Sequence, residues 1–454
     1  MMNYLKTIPF VLFLFVFVPY CSAQTEQLHS YLEVIHAKKH FNGELLVAKG
    51  DRILFHEAIG LASIEHNVAM ETDAVYRIAS ITKSFTGTLI AMAEQEKKLR
   101  YSDKAIRYIP GLSDKFKDIS IHQLLTHTSG LPHNEGIKDY WLTKSKLQMT
   151  TEQVINEINA VDLLFEPGSE AHYSSPGYYL LAVILETVYD DDYQRIVESK
   201  ILNPLDMDET GTANTLAIIP KMAAGYHLMT DDSLVVAPYR NYSMLKGAGD
   251  MVSTASDLLI WSNSFFMNSL LGEETKAVMF NPDKTTHSDE KRHGYGWFIN
   301  TKKPKKYYRG GGTWGYSSYL VLYPEDKISI IILSNISFLP TEAIAADVEK
   351  IVYGLPFTMP VIQNAIPKSE VNVGLYAGNF LSDSNNMILR IVQTKIGLFA
   401  KLGDNPAFQI YPNGKHQFFG KKVDITFSFK IKDGLVQSLK AEGVGRTFHF
   451  KKTD

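Results

Sequence analysis

The residues best placed to do chemistry are Ser80 and Lys83, within Arg77-Ile78-Ala79-Ser80-Ile81-Thr82-Lys83-Ser84-Phe85. An apolar run over residues 86–92 follows at once and reads as a helix, with Leu89, Ile90, Met92 and Ala93 on or near one face. Positions i and i+3 of a helix share a face, so the Lys83 amine falls beside the Ser80 hydroxyl. An adjacent amine activates a serine that is otherwise a weak nucleophile. If Ser80 opens the helix, its own N–H is an unpaired first-turn donor and can face an oxyanion. The competing reading makes Ser80 only the cap of a buried helix. Ser-x-x-Lys is a short pattern, and Ser288-Asp289-Glu290-Lys291 repeats it in a charged segment with no apolar helix behind it.

Three further segments carry residue types that complete such a site. Phe165-Glu166-Pro167-Gly168 leads to His172-Tyr173-Ser174-Ser175-Pro176-Gly177-Tyr178, which puts a tyrosine and a serine in a loop just before an apolar helix. Tyr308-Arg309-Gly310-Gly311-Gly312-Thr313-Trp314-Gly315-Tyr316 is a glycine-rich stretch entering a strand, where backbone can approach a ligand closely. His122-Gln123-Leu124-Leu125-Thr126-His127-Thr128-Ser129-Gly130-Leu131 is the third. The spacing of His122, His127 and His133 is not that of a compact metal motif, and no metal or other cofactor is expected. His127 and the residues after it read as a structural device that fixes a helix end near the site.

The elements that must position these residues follow from periodicity. Residues 28–37 read as an amphipathic helix, and residues 43–48 and 52–57 as a hairpin turning at Gly50-Asp51. Helical patterns cover residues 102–109, 121–126, 152–158, 178–188, 191–201 and 254–266, while residues 212–250 are irregular. Residues 317–322 and 328–333 form a second strand pair around Pro324-Glu325-Asp326, and residues 341–352 a closing helix. Strands at both ends with helices between them predict one sheet built from the two ends and covered by helices, an α/β (α+β) arrangement. Pro356, Pro360 and Pro367 mark residues 356–370 as a linker. Beyond it, residues 371–454 alternate in short strands at 387–392, 397–401, 408–411, 416–419, 425–431 and 435–439, with turns at Asn413-Gly414 and Asp433-Gly434. That predicts a small all-β barrel or sandwich with no catalytic constellation.

Taken in order, the four motif segments resemble the serine β-lactamase and penicillin-binding protein superfamily, in the branch of class C β-lactamases, D-alanyl-D-alanine carboxypeptidases and related esterases and amidases. The resemblance covers about residues 30–352 and includes Gly247-Ala248-Gly249-Asp250-Met251-Val252-Ser253-Thr254 and Gly294-Tyr295-Gly296-Trp297. It implies a β-lactamase/transpeptidase-like domain, an antiparallel sheet flanked by a helical region, over residues 24–355. It implies Ser80 as acyl-forming nucleophile, Lys83 as its base partner and Tyr173 as proton relay. Arg309-Gly310-Gly311 then stands in the third motif, and Gly312 supplies the oxyanion N–H opposite that of Ser80. Ser175, Arg309, Gly310 and Gly311 are expected beside the substrate, with Trp314 either an acyl-pocket wall or simple packing. Ser175 replaces the family's usual asparagine and Arg309 its usual lysine or histidine. A guanidinium keeps the charge, able to pair with a substrate carboxylate, but cannot shuttle protons near neutral pH. These departures point to a small ester or a cell-wall-type D-alanyl peptide as substrate. A β-lactamase proper and a binding protein that is acylated without turning over are the alternatives.

Composition sets the frame. At 454 residues and 45% hydrophobic the chain exceeds the usual size of one domain. With 46 basic and 49 acidic residues it offers nothing that calls for nucleic acid as partner. Lys6, an apolar run over residues 8–20 and Cys21-Ser22-Ala23 have the outline of a signal peptide, residues 1–23, giving an exported periplasmic or extracellular protein. Lipid anchoring through Cys21 is the alternative, with bulky Tyr20 against it. Cys21 is the only cysteine, so a chain cut after Ala23 has neither disulfides nor thiolate chemistry. No later segment is a clean membrane span.

Overall fold

The computed structural model describes residues 18–453 apart from 39–40, 214, 231–232, 268, 282–291, 385–386, 404, 406, 422–424 and 444–445. The expected leader as far as residue 17 and the repeat at Ser288-Asp289-Glu290-Lys291 lie outside the described residues. Two compact units divide the chain. The first comprises the residues up to Leu32, Phe41–His227 and Val235–Phe357, and the second Glu33–His40, Leu228–Leu234 and Thr358–Asp454.

The first unit is built on an antiparallel sheet of seven strands. Its strands are β1 (Gly43–Lys49), β2 (Arg52–Ile59), β3 (Arg292–His293), β4 (Phe298–Asn300), β5 (Lys306–Thr313), β6 (Tyr316–Tyr323) and β7 (Ile328–Ser334). Their spatial order is β3-β4-β5-β6-β7-β1-β2. The early hairpin is joined to the late strands through β1 and β7, with Leu46 opposite Ile331. The two ends of the domain therefore share one sheet, as the distribution of strand patterns predicts. Both faces of the central strands are covered. Leu46, Ala48, Ile331 and Leu333 enter the main apolar core, while the alternate residues Leu45, Val47, Ile330 and Ile332 are equally buried. That is why β1 and β7 read as nearly continuous apolar runs rather than as alternating ones.

Helices α1 (Val18–Ala37), α2 (Thr82–Gln95), α3 (Ile121–Leu125), α4 (Thr151–Asn159), α5 (Ser175–Tyr189), α6 (Tyr193–Val197), α7 (Ala255–Met267), α8 (Glu273–Met279) and α9 (Thr341–Val352) complete the order. α1 begins ten residues before the expected start at residue 28 and runs through the expected cleavage point at Ala23. Residues 102–109, expected as a helix, contain only the 3-10 turn Ala105–Arg107. The segment is held instead by Ala105 N–H and Ile121 N–H, which reach across it to Ile119 O and Asp103 O. Capping boxes at Ser120 with Gln123 and at Thr150 with Gln153 start α3 and α4. α2 and α5 are almost wholly buried, and Phe85 of α2 stacks on Trp261 of α7 with ring centroids 4.1 Å apart. An element without a solvent face shows little amphipathic pattern, and these two helices carry the site.

The second unit holds a closed antiparallel barrel of strands in simple sequence order, β8 (Gly378–Ser382) through β15 (Arg446–Lys452). Closure is made by the first and last strands, with Phe380 opposite Lys452. Phe380, Phe418, Phe427, Phe429 and Phe450 lie in its core beside Tyr376. Of the two all-β arrangements that the sequence leaves open, the chain forms the barrel. The two closing strands had no sequence expectation. Among the described residues no helix is long and apolar enough to cross a membrane.

Candidate active site

Ser80 does not sit in the first turn of α2. It lies in the 3-10 turn Ala79–Ile81 directly before it. Ala79 adopts φ 46, a left-handed conformation that costs a non-glycine residue energy and that the surrounding packing has to hold. The turn is fastened from both sides: Ile78 N–H donates to Met251 O at 3.1 Å, and Ser318 Oγ of β6 donates to Ile78 O at 2.8 Å. β5 lies so close that a Cβ on Gly311 would stand 2.3 Å from Ile78 O and 3.0 Å from Ser80 N. Only glycine fits there.

Lys83 lies on the inner face of α2 and is fully buried. Its ammonium donates to Ser80 Oγ at 3.1 Å, to Ser175 Oγ at 3.1 Å and to Ala248 O at 2.6 Å. Those three acceptors match its three donors. The Ser175 hydroxyl thus makes the lysine contact across from α5. Burial pushes Lys83 down to about 8; Tyr173 opposes the shift, and Arg309 and Arg240 add to it. Of the two cations, Arg309 contributes more than Arg240.

Tyr173 stands just outside α5. Its OH donates to Ser80 Oγ at 2.8 Å and accepts from Arg309 Nη2 at 3.0 Å. Burial alone would raise the phenol, but Arg309 and Lys83 overcome it and bring Tyr173 down to about 7. The segment is held by the histidine loop. His172 N–H donates to His127 O, Ser174 N–H to His127 Nδ1 at 3.1 Å, and Ser175 N–H to His133 Nδ1 at 3.1 Å. Both imidazoles must be neutral to accept. Burial depresses each, with neighbouring cations adding to it: His127 falls well below its ordinary value and His133 to about 3. Ser174 caps α5 by accepting from Gly177 N–H at 3.1 Å.

The third motif is placed differently from expectation at Arg309 and Gly310, and at Trp314 the packing alternative is the one found. Arg309, expected beside the substrate, is buried at 1% exposure, and Nε donates to Ser80 O at 3.1 Å. With Nη2 on Tyr173, this guanidinium serves the nucleophile and the phenol; Nη1 is buried without a partner. Gly310 lies on the other side of the pleat, where a Cβ would meet the Tyr319 ring at 3.1 Å, because successive strand residues face opposite ways. Trp314 packs edge-on to Phe338 and His227, with centroids 5.3 and 4.9 Å away. It is Phe338 that lines the cavity. This cavity, about 180 Å³, is bounded by Ser80, Ser175, Gly312, Trp141, Phe338 and Arg240, among others. Arg240 and Trp141 escape sequence reasoning, and His133 enters it only as a candidate metal ligand. The only available signal was an arginine between Tyr239 and Tyr242 in the irregular stretch. Among the described residues no group of side chains is arranged to hold a metal ion.

A nucleophile, an amine and a phenol whose proton affinities are brought towards neutrality, and a strand edge beside the nucleophile together suit acyl transfer. Comparison with known proteins agrees. The family model described as Beta-lactamase matches residues 33–353. Penicillin-binding protein 4* of Bacillus subtilis (strain 168) is 26% identical over 91% of this chain and 95% of its own. Among solved structures, the octameric penicillin-binding protein homologue from Pyrococcus abyssi superposes with a TM-score of 0.66 at 20% identity, covering 95% of this chain and all of that one. A D-stereospecific amidohydrolase from Streptomyces sp. gives 0.63 at 22% identity, over 74% of this chain and 99% of its own. Both likenesses are of fold.

Proposed function

Because the chain belongs to the β-lactamase family, we propose that it is a serine hydrolase. It acts through an acyl-enzyme on Ser80, on a small ester or on the amide bond of a D-amino-acid peptide. The observation that carries this reading is the convergence on Ser80 Oγ of Lys83 Nζ at 3.1 Å and Tyr173 OH at 2.8 Å. At neutral pH Tyr173 is the stronger candidate for the base, since it is held near 7 while Lys83 stays mostly protonated. The Tyr173 phenolate takes the Ser80 proton as Oγ adds to the substrate carbonyl. The N–H groups of Ser80 and Gly312 receive the oxyanion. The bond to the leaving oxygen or nitrogen breaks, and Tyr173 returns the proton to it. Water then gives a proton to Tyr173 and adds to the acyl carbonyl. The ester bond to Ser80 breaks, Oγ recovers its proton and the acid departs. Lys83 keeps its charge beside Oγ throughout. The D-stereospecific amidohydrolase among the similar structures supports a D-amino-acid substrate, and the loss of the family's asparagine at Ser175 weighs against efficient β-lactam hydrolysis.

The test is Ser80→Ala. The variant is expected to fold, to lose turnover of 4-nitrophenyl esters and D-alanyl peptides, and to escape labelling by a serine-directed phosphonate. Wild-type hydrolysis by freshly purified Ser80→Ala would end the proposal. A wild-type acyl adduct persisting on Ser80 through many substrate additions would replace the hydrolase with a sensor. Export with cleavage after Ala23 belongs to the same proposal, resting on the residue 6–23 pattern; the mass of the native protein should begin at Gln24, and an intact Met1 would exclude it.

A further inference from the structure

We propose that Arg240 is the recognition element for a carboxylate on the acyl portion of the substrate, so that the preferred acyl group is anionic. This rests on the acyl-enzyme reading and adds the substrate's charge to it. Arg240 lines the Ser80 cavity and is only 6% exposed. Its guanidinium is held, not floppy: Nη1 donates to Thr313 Oγ1 at 3.0 Å and Nη2 to Tyr140 OH at 2.7 Å. The rings of Trp141, Tyr140 and Tyr242 surround it at 5.2 to 6.0 Å. Two of its five N–H donors are thus engaged, and Nε is buried with no partner. No carboxylate pairs with it among the described residues. A buried guanidinium without a counter-charge is costly, and aromatic faces return only part of that cost. The free Nε–H edge is the geometry that receives a carboxylate through two parallel hydrogen bonds.

The cavity's electrostatics agree. Arg240 helps to depress both Lys83 and His133, so its field reaches the nucleophile's surroundings. The side of the substrate follows from which groups form the walls. Ser80, Gly312 and Arg240 line this cavity, whereas Tyr173, from which the leaving group takes its proton, and Arg309, which donates to the Tyr173 oxygen, do not. What enters beside Arg240 is therefore the acyl part. At about 180 Å³ the cavity suits a short chain ending in a carboxylate, such as a dicarboxylic half-amide or an acidic amino-acid residue.

Binding to the folded Ser80→Ala protein tests this without turnover. Calorimetry compares succinic, glutaric and adipic monoanilides with the neutral pentananilide and with N-pentanoyl-4-aminobenzoate, which carries its charge on the leaving side. The best acyl-side acid should bind roughly tenfold or more tighter than either control, the scale of one charge-assisted hydrogen bond. Adding Arg240→Gln should erase that preference, and Arg240→Lys should keep part of it. Equal affinities, a preference for the aminobenzoate, or a preference that survives Arg240→Gln would overturn the inference. Anion preference in Ser80→Ala combined with a wild-type protein that hydrolyses nothing would uphold it while counting against the hydrolase reading.

Discussion

Arg309 shows how one substitution at the residue scale redistributes proton chemistry. Where the family usually has a lysine or histidine able to exchange protons, a permanent cation lies on the Tyr173 oxygen. Its effect is to stabilise the phenolate, and with Lys83 it brings Tyr173 to about 7. Removing that cation raises the tyrosine, so the base is protonated over more of the neutral range. The acid limb of kcat/KM, expected near pH 7 in the wild type, should move to higher pH in Arg309→Met by about one unit or more. An unmoved limb would mean that Tyr173 is not the titrating base. Because Lys83 and Tyr173 interact, the limb belongs to the pair and is read as its apparent value.

At the scale of elements, the site depends on how closely strand, turn and helix can approach. β5 meets the Ser80 turn at Gly311, where a methyl group would collide with backbone. A Cβ added at Gly312, one residue on, would meet only the Phe338 ring, with Cδ1 at 3.7 Å, an ordinary van der Waals contact. Gly311→Ala should therefore displace β5 and cost about 10²–10³-fold in kcat, the scale of losing one oxyanion donor. Gly312→Ala should cost far less. Equal losses would show that steric approach is not the controlling feature. Gly296, at φ 83, makes a similar approach: a Cβ there would lie 2.4 Å from Lys83 O. The turn at Gly247 to Asp250 presents Ala248 O to Lys83, and inside it Asp250 Oδ1 accepts from Gly247 N–H at 3.1 Å. Burial raises Asp250 to about 7 despite that bond and the charges of Lys246 and Arg77. An unfolded aspartate releases its proton near 3.9, so the folded chain holds a proton that the unfolded one has lost. Stability accordingly falls as pH rises from about 4 to 7 and does not recover above it. Asp250→Asn lacks that loss. Its melting temperature relative to wild type should rise between pH 4.5 and pH 8, and a constant difference would refute the argument.

For the whole molecule, the division of labour is itself a prediction. The barrel has its own core of aromatic side chains and closed strand pairing, and its sequence holds no Ser-x-x-Lys constellation. Residues 371–454 expressed alone should give a cooperative thermal transition with β-sheet circular dichroism and no phosphonate labelling. A non-cooperative chain would show that the barrel needs the rest of the protein to fold, and hydrolysis by the fragment would relocate the chemistry.

The sequence by itself determined what depends on short spacing. The three-residue spacing of Ser80 and Lys83 brings amine and hydroxyl together even though Ser80 falls in the 3-10 turn before α2, the hairpins of the sheet are local, and the Tyr173 and Arg309 to Gly312 segments carry chemical types that need no fold to be noticed. Periodicity also placed α4 and α9, whose exposed faces leave a readable pattern. It overreached at residues 102–109, where cross-segment hydrogen bonds outweigh helical propensity. Tertiary structure decided everything that needs distant groups in one place. The side of the strand on which Gly310 and Arg309 fall is set by the register between β5 and β6. Neutrality of His127 and His133 comes from burial. Barrel closure comes from pairing strands far apart in the chain. Arg240 shows the limit best: a lone arginine in an irregular stretch has no signature. Only folding brings it, 160 residues after Ser80, to the wall of the same cavity. Spacing along a chain is a local quantity, whereas the cost of burying a charge is set by every element that surrounds it.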